Sequence, residues 1–168
     1  MSTIAERTRA LLEEIARLEA RHGRAPGSVT LLGISKTHDA ARVREAHAAG
    51  LSQFGESYVQ EALPKIEALA DLPLTWHFVG RIQGNKTAAI AGGFAWVHGI
   101  DRLRIARRLD EQRPPHLPPL DCCIEVNLSG EASKGGATPQ ELPALATAIA
   151  ALPRLRLRGL MTLPAPSQ

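Results

Sequence analysis

The sequence predicts an α/β protein built on a parallel β-sheet. Six short runs rich in Leu, Ile and Val alternate along the chain with longer amphipathic or Ala-rich segments. The chain has 168 residues, of which 44% are hydrophobic and 22% charged, which is typical of a folded domain with a buried core. Because strands that are separated by helices usually pair in parallel, we expect a series of βαβ units.

The predicted elements follow one another in a regular order. A helix from about Ile4 to His22 comes first, and Gly23 and Pro26 end it. The predicted strands are then 29–34, 52–54, 75–79, 94–100, 120–126 and 155–161. Between them lie predicted helices at 39–49, 58–70, 85–91, a segment that Asp101 caps and that runs to Gln112, and 139–152.

Two architectures are compatible with this alternation. An open doubly wound sheet accommodates six strands, whereas a (β/α)₈ barrel needs eight strands and typically about 250 residues. The chain contains neither a G-x-G-x-x-G after its first strand nor a phosphate-binding G-x-x-x-x-G-K-[ST], so no nucleotide fingerprint favours the open sheet. The pattern alone leaves the two architectures nearly even.

Composition argues against several classes of function. A net charge of +3 and only 4% aromatic residues do not favour nucleic-acid binding. No segment approaches the roughly 20 apolar residues of a membrane span, and the start lacks the features of a secretory signal. The neighbouring Cys122 and Cys123 are expected to be buried thiols of a cytoplasmic protein, and the histidine spacings predict no metal site.

Lys36 is the first candidate for chemistry. It follows the first predicted strand at its carboxyl end, where parallel α/β proteins bind ligands. A partly desolvated lysine has a lowered pKa and a larger fraction of free amine, which condenses with aldehydes. A solvated loop lysine is the alternative interpretation, and without further information it is the more frequent one. His77 in the third strand is interpreted as a core or pocket-facing histidine.

Six segments resemble the pyridoxal phosphate homeostasis protein family, and they occur in order across nearly the whole chain. They are LLGISKT at 31–37, QFGESYVQE at 53–61, WHFVG at 76–80 with Gln83, Asn85 and Lys86, VH at 97–98 with Asp101 and Arg102, VN at 126–127 with Ser129, Glu131, Ser133, Lys134 and Gly136, and LRLRGLM at 155–161. The chain departs from the family pattern at Ser57, where Asn is usual, and at Arg81 and Gly84, where Pro and Ser are usual.

The resemblance implies a fold, a cofactor and a set of site residues. The fold is the (β/α)₈ TIM barrel of the alanine racemase N-terminal domain, here incomplete with about six βα units in a single domain, 1–168. The cofactor is pyridoxal 5′-phosphate, held as a Schiff base on Lys36, with Ser57, His77 and Met161 lining its site. Family members continue with two more strands whose loops hold the phosphate, so the sequence is expected to be a fragment that binds the cofactor weakly or is insoluble.

The resemblance also implies a function, with two alternatives. The implied function is that of a cytoplasmic carrier of pyridoxal phosphate without an established reaction. Its implied partners include the apo-forms of enzymes that use this cofactor. The full-length protein is expected to be a monomer. Neither nucleic acid nor membrane is an expected partner. One alternative is an amino-acid racemase of the alanine racemase type with Lys36 as its base. The other is an inert fragment whose unpaired edge strand pairs with another chain.

Overall fold

The protein contains six α-helices, one short 3₁₀ helix (Gly84–Lys86) and six strands within the part of the chain that its computed structural model describes, residues 3–128, 130 and 135–163. The helices are α1 (Ile4–Arg21), α2 (Ala40–Ala48), α3 (Val59–Ala68), α4 (Thr87–Gly93), α5 (Leu103–Gln112) and α6 (Leu142–Ala150). The strands are β1 (Gly33–Ile34), β2 (Gln53–Glu56), β3 (Thr75–Phe78), β4 (Trp96–Ile100), β5 (Leu120–Glu125) and β6 (Leu155–Met161).

The strand order distinguishes between the two predicted architectures. All six strands are parallel, and their order in the sheet, β1 to β6, is their order in the chain. A doubly wound sheet reverses its strand order at a switch point, whereas a barrel winds in one direction. The described residues therefore form an open arc of the barrel type, in which β1 pairs only with β2 and β6 only with β5. The barrel-type prediction is confirmed, and the described residues contribute six strands, of which the first five are followed by helices.

The two faces of the sheet differ in polarity. Phe54, Phe78, Val97 and Ile124 face the helices and are almost completely buried in one apolar core. Because neighbouring side chains of a strand point to opposite faces, the residues between them face the concave interior. There they line a cavity of about 410 Å³ formed by Thr30, Leu32, Gln53, Thr75, His77, Trp96 and His98. The polar residues of the strands are thus concentrated on the interior face.

Some predicted boundaries differ from the structure for reasons visible in the hydrogen bonds. Strand β1 is shorter than predicted, and the N–H of Val29 donates to the carboxylate of Glu19 at 2.7 Å instead of to a neighbouring strand. Asp101 does not cap α5. The capping position is Arg102, which makes no side-chain cap bond, and Asp101 forms an ion pair with the Arg102 guanidinium at 2.7 Å.

The two cysteines lie in β5 as free, buried thiols, as predicted. Burial raises the pKa of Cys122 to about 12, and the charge of the neighbouring Cys123 thiolate opposes ionisation further. A thiol with so high a pKa is a poor nucleophile at neutral pH. Cys122 therefore belongs to the core rather than to a reactive site.

Candidate functional site

Lys36 lies in a tight turn directly after β1. The N–H of Ser35 donates to the Gly55 carbonyl at 3.0 Å and extends the β1–β2 ladder by one bond. The N–H of His38 then donates back to the Ser35 carbonyl at 3.1 Å, which closes a four-residue turn with Lys36 at its second position. Thr37, at the third position, has a φ of 66°, in the left-handed region that β-branched residues rarely adopt. An unusual backbone conformation therefore follows the candidate lysine.

The Lys36 side chain is exposed. Among the described residues it has no hydrogen bond or ion pair, so its amine is accessible to a ligand. The expectation that Lys36 is partly desolvated is wrong for this part of the chain, because the turn carries it beyond the last ladder bond and no described side chain covers it. The Lys36 amine can therefore meet a ligand because it is exposed to solvent, and no apolar pocket formed by the described residues surrounds it.

Behind the turn lies a buried network that we call the α3 ion network, formed by Ser35, Glu56, Glu61 and Lys65. The Lys65 ammonium donates to the Ser35 carbonyl at 2.8 Å and to the carboxylates of Glu56 at 2.6 Å and Glu61 at 3.2 Å. An ammonium group has three donors, so each of them has an acceptor. The Ser35 hydroxyl donates to the same Glu56 oxygen at 2.7 Å.

Two of the charged groups in this network are almost inaccessible to solvent. The exposed fraction is 7% for Lys65 and 0% for Glu56. Glu61 is more accessible, and its carboxylate also accepts the N–H of Thr37 at 2.5 Å. That backbone hydrogen bond lowers the pKa of Glu61, and Lys65 lowers it further against the opposing effect of burial. Glu61 is therefore ionised at neutral pH.

A second polar group occupies the concave face, and we call it the interior histidine chain: Gln53, His77 and His98. Nε2 of His77 lies 2.8 Å from Oε1 of Gln53, and Nδ1 of His77 lies 2.8 Å from Nε2 of His98. Because Gln53 Oε1 is an acceptor, the His77 proton is on Nε2, and Nδ1 accepts the Nε2–H of His98. Burial lowers the pKa of His77 to about 4, and the neighbouring His98 contributes to the shift. Both rings are neutral at pH 7, since burial also lowers the pKa of His98.

Ser57 is the first residue after β2 and is half-buried. It lines a cavity of about 250 Å³ together with residues that include Tyr58, Arg81 and Lys86. The backbone of Gly80 lies against Ser57, because a Cβ placed on Gly80 would come within 2.4 Å of the Ser57 carbonyl oxygen. The glycine thus permits the ends of β2 and β3 to approach each other beside Ser57.

Met161 ends β6 and is the register partner of Glu125 in β5. Burial raises the pKa of Glu125, and so does the charge of Asp101, whereas the positive charge of Arg81 opposes the shift. Arg81, a departure from the family pattern, therefore stabilises a carboxylate near the end of β5. Arg81 therefore affects Glu125 at the carboxyl edge of the sheet, where Met161 also lies.

The four predicted site residues do not form a directly bonded cluster. Lys36, Ser57 and Met161 all lie at the carboxyl edge of the sheet, after or at the ends of β1, β2 and β6, while His77 lies inside β3 and deeper in the interior. No hydrogen bond joins any two of the four in the described residues. The predicted contributions of Ser129, Glu131, Ser133 and Lys134 lie outside the described residues.

Comparison with known proteins shows what the chain is similar to. The family model of the alanine racemase N-terminal domain matches residues 7–168. The pyridoxal phosphate homeostasis protein of Pseudomonas aeruginosa is 60% identical over 167 residues, which cover 99% of this chain and 73% of the relative. That of Escherichia coli is 50% identical over 169 residues, covering 99% and 72%. The chain belongs to the pyridoxal phosphate homeostasis protein family.

A solved structure in the same group agrees with the fold of this homeostasis-family chain. It is PipY of Synechococcus elongatus with pyridoxal phosphate (PLP) bound, which is 36% identical and superposes with a TM-score of 0.79 over 99% of this chain and 73% of PipY. The family resemblance inferred from the sequence motifs is therefore confirmed. This chain spans about three quarters of the length of these relatives.

Sequence reasoning about this homeostasis-family chain missed the α3 ion network. Glu56 and Glu61 belong to the motif at 53–61, which supports the family resemblance but predicts no role for either residue. The sequence also predicts no role for Lys65. One signal was available, because Glu61 and Lys65 are four residues apart and face the same side of a predicted helix. The burial of Lys65 and its bond to Ser35 could not be read from that spacing. They depend on how α3 packs against the ends of β1 and β2.

Other types of site are not indicated by the described residues. They contain no group of three or more His, Cys, Asp or Glu side chains that could hold a metal ion. None of their helices is both long and apolar enough to cross a membrane.

Proposed function

We propose that this chain binds pyridoxal 5′-phosphate covalently through Lys36 and serves the intracellular homeostasis of this cofactor. The observation that carries the proposal is an exposed amine, free of partners among the described residues, in a closely held turn at the carboxyl edge of a barrel-type sheet. The names of the Pseudomonas aeruginosa and Escherichia coli relatives, and the bound PLP of PipY, support it.

The chemistry of the available groups fits this cofactor. Lys36 would hold the cofactor through a carbon–nitrogen double bond to its aldehyde carbon, and the two hydrogens of the free amine would leave with the aldehyde oxygen as water. Bound PLP supplies an electron sink for carbanion chemistry, which a carrier does not need to use. Ser57 and Met161 provide a hydroxyl and a polarisable thioether at the same edge of the sheet.

His77 has a different part in the proposal. Its hydrogen bonds to Gln53 and His98 hold the ring in one orientation and in its neutral form. We propose that it forms the fixed floor below the cofactor and does not carry charge. A neutral ring adds no charge to the interior face of the sheet.

The proposal does not include catalysis by this chain. A racemase needs proton-transfer groups on both faces of its substrate. The sequence has one tyrosine, Tyr58, which lies exposed immediately before α3. The proposed partners are the apo-forms of enzymes that use PLP, and the proposed location is the cytoplasm, which the two free thiols support because thiols stay reduced there.

Borohydride trapping tests this function directly. The 168-residue chain is incubated with PLP, reduced, digested and analysed by mass spectrometry. We expect the reduced adduct on Lys36, its loss in Lys36→Ala and its retention in the control Arg44→Met, which removes only the exposed pair with Asp71. An adduct on one of the other three lysines, or an unchanged adduct in Lys36→Ala, contradicts the proposal. Conversion of L-alanine to D-alanine at ordinary enzyme rates, above about 1 per second, would instead establish a racemase.

A further inference from the structure

Two side chains of α3 bind the two peptide groups that flank Lys36. The peptide group before Lys36 contains the Ser35 carbonyl, which accepts the Lys65 ammonium at 2.8 Å. The peptide group after it contains the Thr37 N–H, which donates to the Glu61 carboxylate at 2.5 Å. Glu61 and Lys65 are themselves paired at 3.2 Å across one helical turn. The backbone on each side of Lys36 is therefore connected to the same helix.

We propose that Glu61 and Lys65 are positioning residues for the amine of Lys36. In this inference, which rests on the proposed function, neither residue touches the cofactor. They hold the orientations of the two flanking peptide groups, and those orientations determine the direction in which the Lys36 side chain leaves the backbone. The role is new for both residues and extends the site from the sheet edge into the helical layer.

The conformation of the turn is the first argument for such a role. Thr37 has a φ of 66°, which is unfavourable for a β-branched residue and persists only where surrounding contacts impose it. The contact in question is the bond from its own N–H to Glu61. A turn without this acceptor is expected to move Thr37 toward a common backbone conformation and to redirect Lys36.

The burial of the anchor is the second argument. Lys65 is 7% exposed and bonds to Glu56, which is fully buried in β2, so its ammonium is fixed relative to the sheet. A long side chain that served only solubility would lie in solvent, as Arg44 does in its exposed pair with Asp71. The Lys65–Glu56 pair joins α3 to β2, and the Arg44–Asp71 pair joins α2 to the segment after α3, but only the first reaches the Lys36 turn.

The expected effect on binding follows from geometry. Small displacements of a reacting group slow a reaction strongly, because the approach of the two atoms depends on distance and angle. In metal sites, removing a residue that orients a ligand through a second contact typically changes metal affinity or activity by about 10- to 100-fold, and we take the low end of that range as a guide. We expect an effect of about tenfold for the loss of the Lys65 anchor and a smaller one for the loss of Glu61.

Three variants test the inference. The double variant Lys65→Met, Glu56→Gln removes the anchor without leaving a buried carboxylate unpaired. Glu61→Ala removes the acceptor of the Thr37 N–H at a partly exposed position, so it tests the inference even if the double variant does not fold. Arg44→Met is the matched control, since it removes an ion pair of the same region that has no bond to the turn.

Two readouts separate this inference from the proposed function. The first is the rate of PLP binding at Lys36, followed by absorbance and borohydride trapping. The second is hydrogen exchange at the Thr37 amide, measured by NMR without any cofactor. Thermal unfolding of each variant reports whether it is folded.

We expect slower binding by about tenfold in the double variant and faster exchange at Thr37 in Glu61→Ala, with Arg44→Met unchanged in both. Folded variants that bind PLP at the wild-type rate overturn the inference, as does a Thr37 amide that exchanges equally fast in wild type and Glu61→Ala. If the wild-type chain forms no adduct although its Thr37 amide is protected from hydrogen exchange, the result contradicts the proposed function but not the role of Glu61 in holding the turn.

Discussion

The α3 ion network and the interior histidine chain are both buried polar groups, but they are stabilised in opposite ways. On the helix-facing side of β2, two carboxylates and a carbonyl accept the three hydrogen bonds of the Lys65 amino group. On the concave side, His77 has only a neutral amide and another histidine as partners, and its pKa falls to about 4. The difference teaches that a buried histidine with no carboxylate beside it favours its neutral form, because desolvation penalises the charged ring.

The sharpest test of this difference removes one member of the ion network. Lys65→Met leaves Glu56 fully buried beside a single hydroxyl donor, and its Oε2 already lacks a hydrogen-bond partner within the described part of the chain. Breaking a buried pair from one side typically costs about 3–5 kcal/mol of unfolding free energy. We expect a loss of that size in urea denaturation.

The exposed pair of Arg44 and Asp71 provides the control for this experiment. Arg44→Met should cost no more than about 1 kcal/mol, because solvent screens an exposed pair. Equal losses in the two variants would mean that the burial of Lys65 contributes nothing to stability.

The second test uses pH and concerns the interior histidine chain. The pKa of His77 is about 4 in the folded protein and about 6.5 in an unfolded chain, so the unfolded state takes up a proton first as the pH falls. The contribution of His77 to the unfolding free energy is therefore complete above pH 6.5. It falls by about 2–3 kcal/mol as the pH decreases toward 4.

The measurement is the unfolding free energy of wild type and His77→Gln at several pH values. We expect the two curves to converge as the pH decreases from 6.5 to 4.5, since the variant lacks this group and keeps only the smaller contribution of His98. Curves that stay parallel over this range would show that His77 is not held in its neutral form.

The smallest expected effect concerns the Lys36 turn. Thr37→Gly relieves a left-handed conformation that costs a non-glycine residue about 1–2 kcal/mol, but it adds backbone entropy to the unfolded chain. We expect a net gain in stability of about 0.5–1 kcal/mol, measured by thermal unfolding. A loss of more than about 1 kcal/mol would indicate that the threonine side chain makes a contact that stabilises the turn.

Much of the fold could be predicted from the sequence because it depends on local pattern. The β6 range, 155–161, was predicted as observed, and α1 differs by one residue, since apolar periodicity and a Gly-containing terminus determine both. Strand β1 was predicted too long because Glu19, ten residues earlier, accepts the N–H of Val29. A side chain from another element decided that boundary, and no local pattern reports it.

The candidate site divides in the same way. Lys36 was identified from its place after a strand, and the position of Ser57 after β2 also follows from the order of elements. That the amine is exposed, and that His77 is buried and neutral, depends on which side chains surround them in space. The partners of His77 are 24 and 21 residues away in the chain.

By itself, the sequence determined the α/β class, the family and the lysine on which the proposed function depends, because these are carried by periodicity and by short motifs that lie within single elements. Only the tertiary structure decided between an open sheet and a barrel-type arc, which required the spatial order of the strands. It also decided that Lys36 is exposed and Lys65 is buried. Protonation and positioning depend on neighbours in space, and Lys65 reaches Ser35 across 30 residues of chain only after α3 has packed against the sheet.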